Sequence, residues 1–431
     1  MNNPSMKSAI PIALFAIWFV IALADAAPIT AGAMASRSFV DSSQIVSEYT
    51  TELYAHQCSM RIVDGIGYVA YQCNENSKDE NVAGQIVRLA IFNILNPTAT
   101  ARWLDVSGPG DSSNDLTIGG SFTASPMLHV VNPDTIRLLF NSRLAGDSVP
   151  TARVFYKDYS ISTGTLSGLH QARCVIEKSP GKLVDLSVPN VQRHLDFLFG
   201  PGVGLEFSRG LTTSCDMVRI DGHLYSTVQM KNSSGGKTLL MTNILMRSAD
   251  DGATWELLGA PDPRSLPGKL PDDVRILAEP AMTQDGNNIY LHLRSNTTKH
   301  GYMLSKASKT DPYSFDTPVT KWTYGIGRPA VCDFGKPIGL VAMFTAQSVP
   351  MGGTTVTGNK CEVVLIDRTY SQYTLAFSIV DYDAVNTPFI HAYNDEIYVA
   401  YTTGRRRLTP RFGTSEIVFT KLRREFFVDT P

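Results

Sequence analysis

A glutamate and an arginine flank one predicted hairpin at positions where their charges can meet. The midpoint between Glu279 and Arg294 falls between residues 286 and 287, inside the turn 285–288. In a symmetric antiparallel hairpin such residues lie opposite each other, with Cβ atoms about 5 Å apart. Because a surface ion pair contributes only about 0–1 kcal/mol, we favour a functional pair over a structural one. Arg294 would then hold an anion while Glu279 orients or activates a partner.

Five further segments share the plan of this hairpin. In each, a small or functional residue opens a short apolar strand, and a turn leads to a second strand with aromatic or aliphatic residues. The residues that open these strands are His56, Ser125, Thr213, Arg328 and Thr387. Turns such as Asp64-Gly65 between β-branched and aromatic residues are typical of β-hairpins.

The spacing of the six hairpins predicts an all-β propeller. Successive opening residues are 49 to 88 positions apart, which leaves room for two more strands in each repeat. Units of four strands at this period are typical of propeller blades. We therefore predict a propeller of six four-stranded antiparallel blades over residues 36–431, with seven blades as an alternative. A β-sandwich or a pair of β-domains is the competing fold, and 185–200 is the best candidate for a helix.

In a closed ring the opening residues converge on the axis and form one pocket. We predict that His56 and Glu279 are catalytic. The predicted substrate-binding residues are Arg294, Arg328, Ser125, Thr213 and Thr387. Since Arg binds a carboxylate through two parallel hydrogen bonds, this set suits a carboxylate-bearing sugar. The competing interpretations are structural: His56 as a hydrogen-bonding residue of the first blade, and Arg328 as the partner of Asp333.

A turn late in the third repeat resembles a known family motif. The segment 248–255, with Ser248, Asp250, Gly252 and Trp255, resembles the Asp-box of the sialidase (neuraminidase) superfamily. In such a box the Asp side chain stabilises a tight turn between outer strands and the Trp packs beneath it. The resemblance implies a propeller fold and a structural role for these four residues, away from the active site.

The hairpin of Glu279 and Arg294 also looks like a sialidase segment, in which a Glu and an Arg flank one hairpin. The resemblance further implies an Arg triad, a Tyr nucleophile assisted by Glu, and an acid Asp on a loop. This chain has His56 where the first Arg is expected and Arg328 where the Tyr is expected, with Tyr324 nearby. His56 is also loosely similar to the central histidine of propeller enzymes that cleave rhamnose–glucuronate linkages.

Three functions follow from these residues. The first is a sialidase-like glycoside hydrolase, which usually needs two carboxylates or a Tyr and a Glu; Asp216 is the candidate second acid. The second is a uronate lyase, in which Arg294 or Arg328 neutralises the carboxylate and His56 is the general base or acid. The third is a lectin that binds acidic glycans without cleaving them. We favour an enzyme.

Composition and the N-terminus limit the class of protein. The chain has 431 residues, is 43% hydrophobic and has a formal net charge of −2. It therefore lacks the overall positive charge that would attract nucleic acid. A secretory signal is predicted over residues 1–26, with an uncleaved anchor as the alternative. The prediction rests on Lys7, the apolar run 9–23 and the small residues at 24 and 26. We expect a secreted or periplasmic protein with no membrane span after signal removal.

Cysteines and metal ligands are sparse. The six cysteines form no CxxC motif and no cluster with histidine, so we predict no metal site and no cofactor. Cys58 and Cys73 lie at nearly mirrored positions around the turn of the first hairpin. In an exported protein they could form a cross-strand disulfide, with two free thiols as the alternative.

Overall fold

The computed structural model describes residues 40–427 apart from short internal gaps. The residues outside the description are 1–39, 49, 97–98, 114, 120–122, 147–150, 177–181, 208, 214, 235–236, 267–274, 296–300, 323–324, 336–337, 347–349, 352–353, 356–359, 381–384, 406–413 and 428–431. The predicted signal segment and the predicted start of the domain at residue 36 therefore remain untested. In the described part of the chain, no helix has the length and apolar character that crossing a membrane requires.

The first two sheets are antiparallel and each begins with its innermost strand. After β1 (Val40–Ile45), which belongs to the last sheet, the first sheet contains β2 (Tyr54–Val63), β3 (Ile66–Asn74), β4 (Ile86–Asn93) and β5 (Arg102–Ser107). A small hairpin of β6 (Ser112–Ser113) and β7 (Leu116–Thr117) precedes the second sheet. That sheet contains β8 (Ala124–Asn132), β9 (Thr135–Arg143), β10 (Ala152–Ser160), β11 (Thr165–Leu166) and β12 (His170–Gln171).

The third sheet has eight strands and includes an excursion of the chain. The excursion contributes β13 (Arg173–Val175), β14 (Val184–Asp185), helix α1 (Val188–Phe199) and helix α2 (Val203–Glu206). The rest of the sheet is β15 (Arg209–Thr213), β16 (Val218–Ile220), β17 (His223–Ser234), β18 (Lys237–Ser248), β19 (Thr254–Leu257) and β20 (Arg275–Ile276). β13 pairs with β19, and β20 with β18, in parallel, so this sheet is mixed. A 3₁₀ helix spans Pro263–Ser265.

The last three sheets return to the antiparallel plan. The fourth contains β21 (Ala278–Gln284), β22 (Asn288–Arg294), β23 (Tyr302–Ser308) and β24 (Val319–Trp322). The fifth contains β25 (Gly325–Asp333), β26 (Leu340–Ala346), β29 (Lys360–Ile366) and β30 (Tyr373–Val380), with a hairpin of β27 (Pro350–Met351) and β28 (Thr354–Thr355) inserted. The sixth contains β31 (Val385–Tyr393), β32 (Glu396–Arg405) and β33 (Thr414–Leu422), and a 3₁₀ helix follows at Arg424–Phe427.

The first and last parts of the described chain close the ring. β1 pairs antiparallel with β33 and becomes the outermost strand of the sixth sheet. The inner strands contact one another around the whole circle, from β2 through β8, the third sheet, β21, β25 and β31 back to β2. A propeller of antiparallel blades is thus confirmed, and two stacked sheets are excluded.

The predicted number of uniform blades is wrong. In the described residues, five sheets are regular antiparallel blades of four or five strands. The third sheet is not a four-stranded antiparallel blade, because the excursion adds strands to it and two of its pairings are parallel. No seventh sheet of blade size occurs in the described residues.

The Asp-box segment forms the turn between β18 and β19. Asp250 accepts hydrogen bonds from the Thr254 backbone (2.8 Å) and hydroxyl (2.7 Å), and Ser248 Oγ accepts one from Gly252 N (2.8 Å). Gly252 has φ of +89°, and any Cβ there would lie 3.0 Å from the Trp255 ring. Trp255 is buried in the core of the third sheet. Two strands of the sheet, β13 and β14, lie outside the strands that this turn joins, and Asp251 in the turn pairs with Arg219 of β16.

The predicted disulfide is absent. Cys58 and Cys73 are both free and buried. The first hairpin has an irregular register between His56 and Ser59, so Cys73 lies opposite Ala55 rather than Cys58. The Cys58 thiol instead approaches the carbonyl oxygen of Thr387 at 3.9 Å, in the neighbouring sheet.

Candidate functional site

Four inner strands begin with the same backbone irregularity. Gln57, Ser125, Glu279 and Thr387 have φ values of +49°, +52°, +38° and +44°. Each lies in a register shift of its hairpin, which marks a β-bulge. Positive φ is uncommon for non-glycine residues and costs of order 1–3 kcal/mol, and such strain concentrates at functional sites. We call these four residues, together with Arg328, the upper ring.

Glutamines of the preceding sheets hold two of these bulges in place. Gln72 Oε1 accepts a hydrogen bond from Ser125 N at 3.0 Å, and Gln229 Oε1 accepts one from Glu279 N at 2.8 Å. The bulge leaves each of these amides outside the strand ladder, so a partner in the neighbouring sheet satisfies it. The strained backbone is thereby fixed by contacts between sheets.

The bulge of the first hairpin shows which of its residues aligns with the opening residues of the other hairpins. Ser125, Glu279, Arg328 and Thr387 each precede a proline, and the residue at the matching bulge of the first hairpin is Gln57, which precedes Cys58. The hairpin pattern predicted His56 at this position, one residue too early. Gln57 could have been identified from Cys58, which occupies the position that proline has in four of the other repeats.

Glu279 and Arg294 form an ion pair at the mouth of the fourth sheet. Arg294 NH1 donates to Glu279 Oε2, although the bulge places Ala278, not Glu279, opposite Arg294. Burial would raise the pKa of Glu279, but the charge and hydrogen bond of Arg294, with the charge of Arg328, lower it overall. Glu279 is therefore ionised at neutral pH, and its charge neutralises Arg294.

Arg328 is a buried cation of the upper ring that forms no direct ion pair with any of the described residues. It is 5% exposed, and it has no hydrogen-bond or ion-pair partner among the described residues. The alternative pairing with Asp333 is not formed, because Asp333 binds Arg368. The charge of Arg328 acts on both Glu279 and His56. A buried, unpaired guanidinium is costly, and an anionic ligand would remove that cost.

His56 is linked by hydroxyl groups to the sixth sheet. Its Nδ1 lies 3.0 Å from Thr402 Oγ1, which in turn lies 3.1 Å from Thr387 Oγ1. Burial lowers the pKa of His56, and the charges of Glu80 and Glu279 only partly oppose this. The imidazole is therefore neutral at pH 7 and can act as a base.

Glu80 is a second carboxylate that the sequence analysis missed. It lies in the loop between β3 and β4 and accepts hydrogen bonds from Gln57 Nε2 (3.2 Å) and Gln72 Nε2 (3.0 Å). Its charge, like that of Glu279, acts on His56 and on the buried phenol of Tyr54. No strand pattern or motif marks this loop, so only the folded chain brings Glu80 to the ring.

The hydroxyl groups of Ser125 and Thr213 form hydrogen bonds between neighbouring sheets. Ser125 Oγ donates to Gln57 Oε1 at 2.8 Å, and Thr213 Oγ1 donates to the Ser125 carbonyl at 2.5 Å. Thr213 is 1% exposed, so its hydroxyl joins two neighbouring sheets. Asp216 accepts a hydrogen bond from Arg61 NH2 at 2.5 Å, so this candidate second acid is paired with a cation. Tyr324 lies outside the described residues.

Comparison with known proteins bears on the fold. No protein-family model and no curated protein matches the chain. A Trypanosoma rangeli sialidase is similar in structure, with a TM-score of 0.56 and 14% identity over 90% of this chain and 58% of that one. For a Hadza microbial sialidase the TM-score is 0.57, with 10% identity over 88% of this chain and 68% of that chain. For a leech intramolecular trans-sialidase the TM-score is 0.53, with 11% identity over 90% of this chain and 71% of that chain.

These likenesses show a sialidase-like fold. The chain spans a little over half the length of the trypanosome sialidases that it matches. One of those structures is described as a complex with sialic acid, a carboxylate-bearing sugar.

Proposed function

We propose that the protein is an exported enzyme that hydrolyses a glycosidic bond of a carboxylate-bearing sugar in the upper ring. The observation that carries the proposal is the buried guanidinium of Arg328, which has no anionic partner in the described residues. A sugar carboxylate would supply that partner through charge-assisted hydrogen bonds. Arg294 is already paired with Glu279, so it contributes a shared rather than a vacant positive charge.

Two carboxyl groups are available for the chemistry. Glu279 is ionised and beside the anion site, where it can stabilise the positive charge that develops on the sugar ring or act on the attacking group. Glu80, on an exposed loop at the same mouth, is the candidate acid: in its protonated form it would give its proton to the leaving oxygen, and the resulting carboxylate would take a proton from the attacking water. Gln57 positions Glu80 and connects it to Ser125, so the acid is tied to the ring.

A uronate lyase is the second candidate, and His56 favours it. A neutral imidazole can remove the proton next to the uronate carboxylate, and Arg328 would stabilise the negative charge that this step creates. The resulting imidazolium of His56 would return that proton to the leaving oxygen as the new carbon–carbon double bond forms, which regenerates the neutral imidazole. No water enters the products of this reaction.

Product analysis separates the candidates. The protein is incubated with a fluorogenic sialoside and with an oligouronate. Released sugar without the ultraviolet absorbance of an unsaturated uronate supports the hydrolase, whereas that absorbance supports the lyase. Binding without any product contradicts both and leaves the lectin.

The same assay identifies the catalytic groups. We expect Glu279→Gln and Glu80→Gln to reduce hydrolysis by about 10²–10⁴-fold, as for loss of a general acid or base. Glu206→Gln, on the exposed short helix α2, is the control and should be fully active. Full activity of Glu80→Gln would remove Glu80 from the mechanism.

A further inference from the structure

A second cavity lies at the opposite end of the axis from the upper ring. Its volume is about 330 Å³, and it is lined by the ends of inner strands that include Arg61, Thr283 and His391. We call it the lower cavity. Between it and the upper ring lies a void of about 10 Å³ beside Arg328 and Asp216, which is room for one water at most. The two sites are therefore separate, and the lower cavity is not an entrance to the upper ring.

Three polar groups of the lower cavity have unused hydrogen-bonding capacity. Asp216 Oδ1 accepts from Arg61 and from Met217 N, which leaves Oδ2 without a partner among the described residues. His391 has no hydrogen-bond partner in the described part of the chain. Gln284 accepts from Lys309 through Oε1, so its amide donors remain available. The lining thus offers a carboxylate oxygen, an imidazole and an amide NH₂.

The charges that face the lower cavity are balanced. Arg61 pairs with Asp216, and the other two charged lining residues are Arg219, which pairs with Asp251, and Asp333, which pairs with Arg368. Burial and the charge of Arg61 lower the pKa of His391 to about 3, so this imidazole is uncharged at neutral pH. An ionic ligand would find no unpaired counter-charge here, in contrast to the upper ring.

The remaining wall of the lower cavity is apolar. Met217, Val218, Met282 and Val331 line it between the polar groups. Small-molecule sites are typically concave, of about 300–1,000 Å³, and largely apolar with a few polar groups that orient the ligand. The volume and the lining match a ligand with several hydroxyl groups and one apolar face.

We propose that the lower cavity binds a neutral, monosaccharide-sized polyhydroxy compound. Its hydroxyl groups donate to Asp216 Oδ2 and exchange hydrogen bonds with His391 and the Gln284 amide, while its C–H face packs on Met282 and Val331. The proposal does not depend on any activity of the upper ring. It assigns the protein two carbohydrate sites of opposite preference, one for an anionic sugar and one for a neutral sugar.

Ligand-detected NMR with methyl α-glucoside, methyl α-mannoside and methyl β-galactoside tests the proposal. At least one glycoside is expected to bind. Both His391→Gln and Gln284→Ala should weaken its binding about tenfold, which corresponds to the loss of one or two hydrogen bonds. Gln284 is exposed, so its truncation tests the site even if the histidine variant fails to fold.

His129→Gln is the matched control. His129 and His391 each lie four residues after the bulge residue of their strand, but His129 does not itself line the lower cavity; its Nε2 lies 3.2 Å from both Asp251 Oδ1 and Arg219 NH2. The proposal is overturned if no glycoside binds, if acetate competes with the bound glycoside, or if His391→Gln and Gln284→Ala bind like the unaltered protein. Loss of glycoside binding in Arg328→Gln would also overturn it, because the ligand would then occupy the upper ring.

Discussion

Two arginines at the mouth of the propeller differ in what balances their charge. Arg294 is neutralised by Glu279, whereas Arg328 is buried without a hydrogen-bonding or ionic partner in the described residues. Keeping an unpaired charge out of water costs several kcal/mol, a cost that the fold alone does not explain. Under the proposed function, anion recognition by the upper ring would therefore depend chiefly on Arg328.

Thr402 is predicted to position His56. Replacing it with valine keeps the shape but removes the hydroxyl that bonds to Nδ1, so the imidazole loses a constraint on its orientation and tautomer. We expect Thr402→Val to shift the pH profile of kcat and to lower kcat more than it raises KM, while Thr402→Ser restores the original profile. Identical pH profiles for the valine variant and the unaltered protein would show that Thr402 does not position the ring.

Strand and turn patterns predicted which long charged side chains lie near the ring, but not the full set of residues there. Glu279, Arg294 and Arg328 were identified because strand and turn patterns indicate where each inner strand begins. Gln57 and Glu80 were missed for different reasons. A bulge shifts the register by one residue without changing the hydrophobic pattern, and a loop residue such as Glu80 has no periodicity at all.

At the scale of elements, the link between β1 and β2 contains a buried carboxyl group. The side chain of Glu52 is 0% exposed and accepts hydrogen bonds from Tyr71 OH and Arg88 NH1, each at 2.8 Å. Its Oε2 atom is buried without a partner in the described residues. Burial raises the pKa of Glu52 from 4.5 to about 7, against the opposing effects of Tyr71 and Arg88.

This raised pKa predicts a pH-dependent stability. Since the folded-state pKa lies above the unfolded value, the contribution of Glu52 is complete below about pH 4.5 and is lost as the pH rises through about 7. Glu52→Gln, which mimics the protonated form, should therefore show a smaller loss of unfolding free energy between pH 5 and pH 8. Denaturant titrations at both pH values measure this.

Glu75→Gln is the control for that measurement. Glu75 binds the same Arg88 but is 46% exposed, so its replacement should leave the pH dependence unchanged. An equal loss of stability in Glu52→Gln and the unaltered protein would contradict the account of Glu52.

At the scale of the molecule, closure of the ring brings together residues that are far apart in sequence. His56 and Thr402 are 346 positions apart, yet they are bonded because β1 and β33 join in one sheet next to the first. The repeat of hairpins predicted this ring. It did not predict the eight-stranded third sheet, because the short strands β13 and β14 have no pattern of their own. β13 joins the sheet by pairing with β19, and β14 joins it by pairing with β13.

The proposed function requires that the upper ring hold a sugar carboxylate through Arg328. Calorimetric titration with sialic acid and with a neutral sugar of similar size measures this directly, in the unaltered protein and in Arg328→Gln. The variant is expected to lose about 1.5–3 kcal/mol of binding free energy for sialic acid, the value of hydrogen bonds to a charged group, and nothing for the neutral sugar. Arg368→Gln, which alters an exposed pair, should bind as before. Equal losses for both sugars, or undiminished sialic acid binding by Arg328→Gln, would contradict the account.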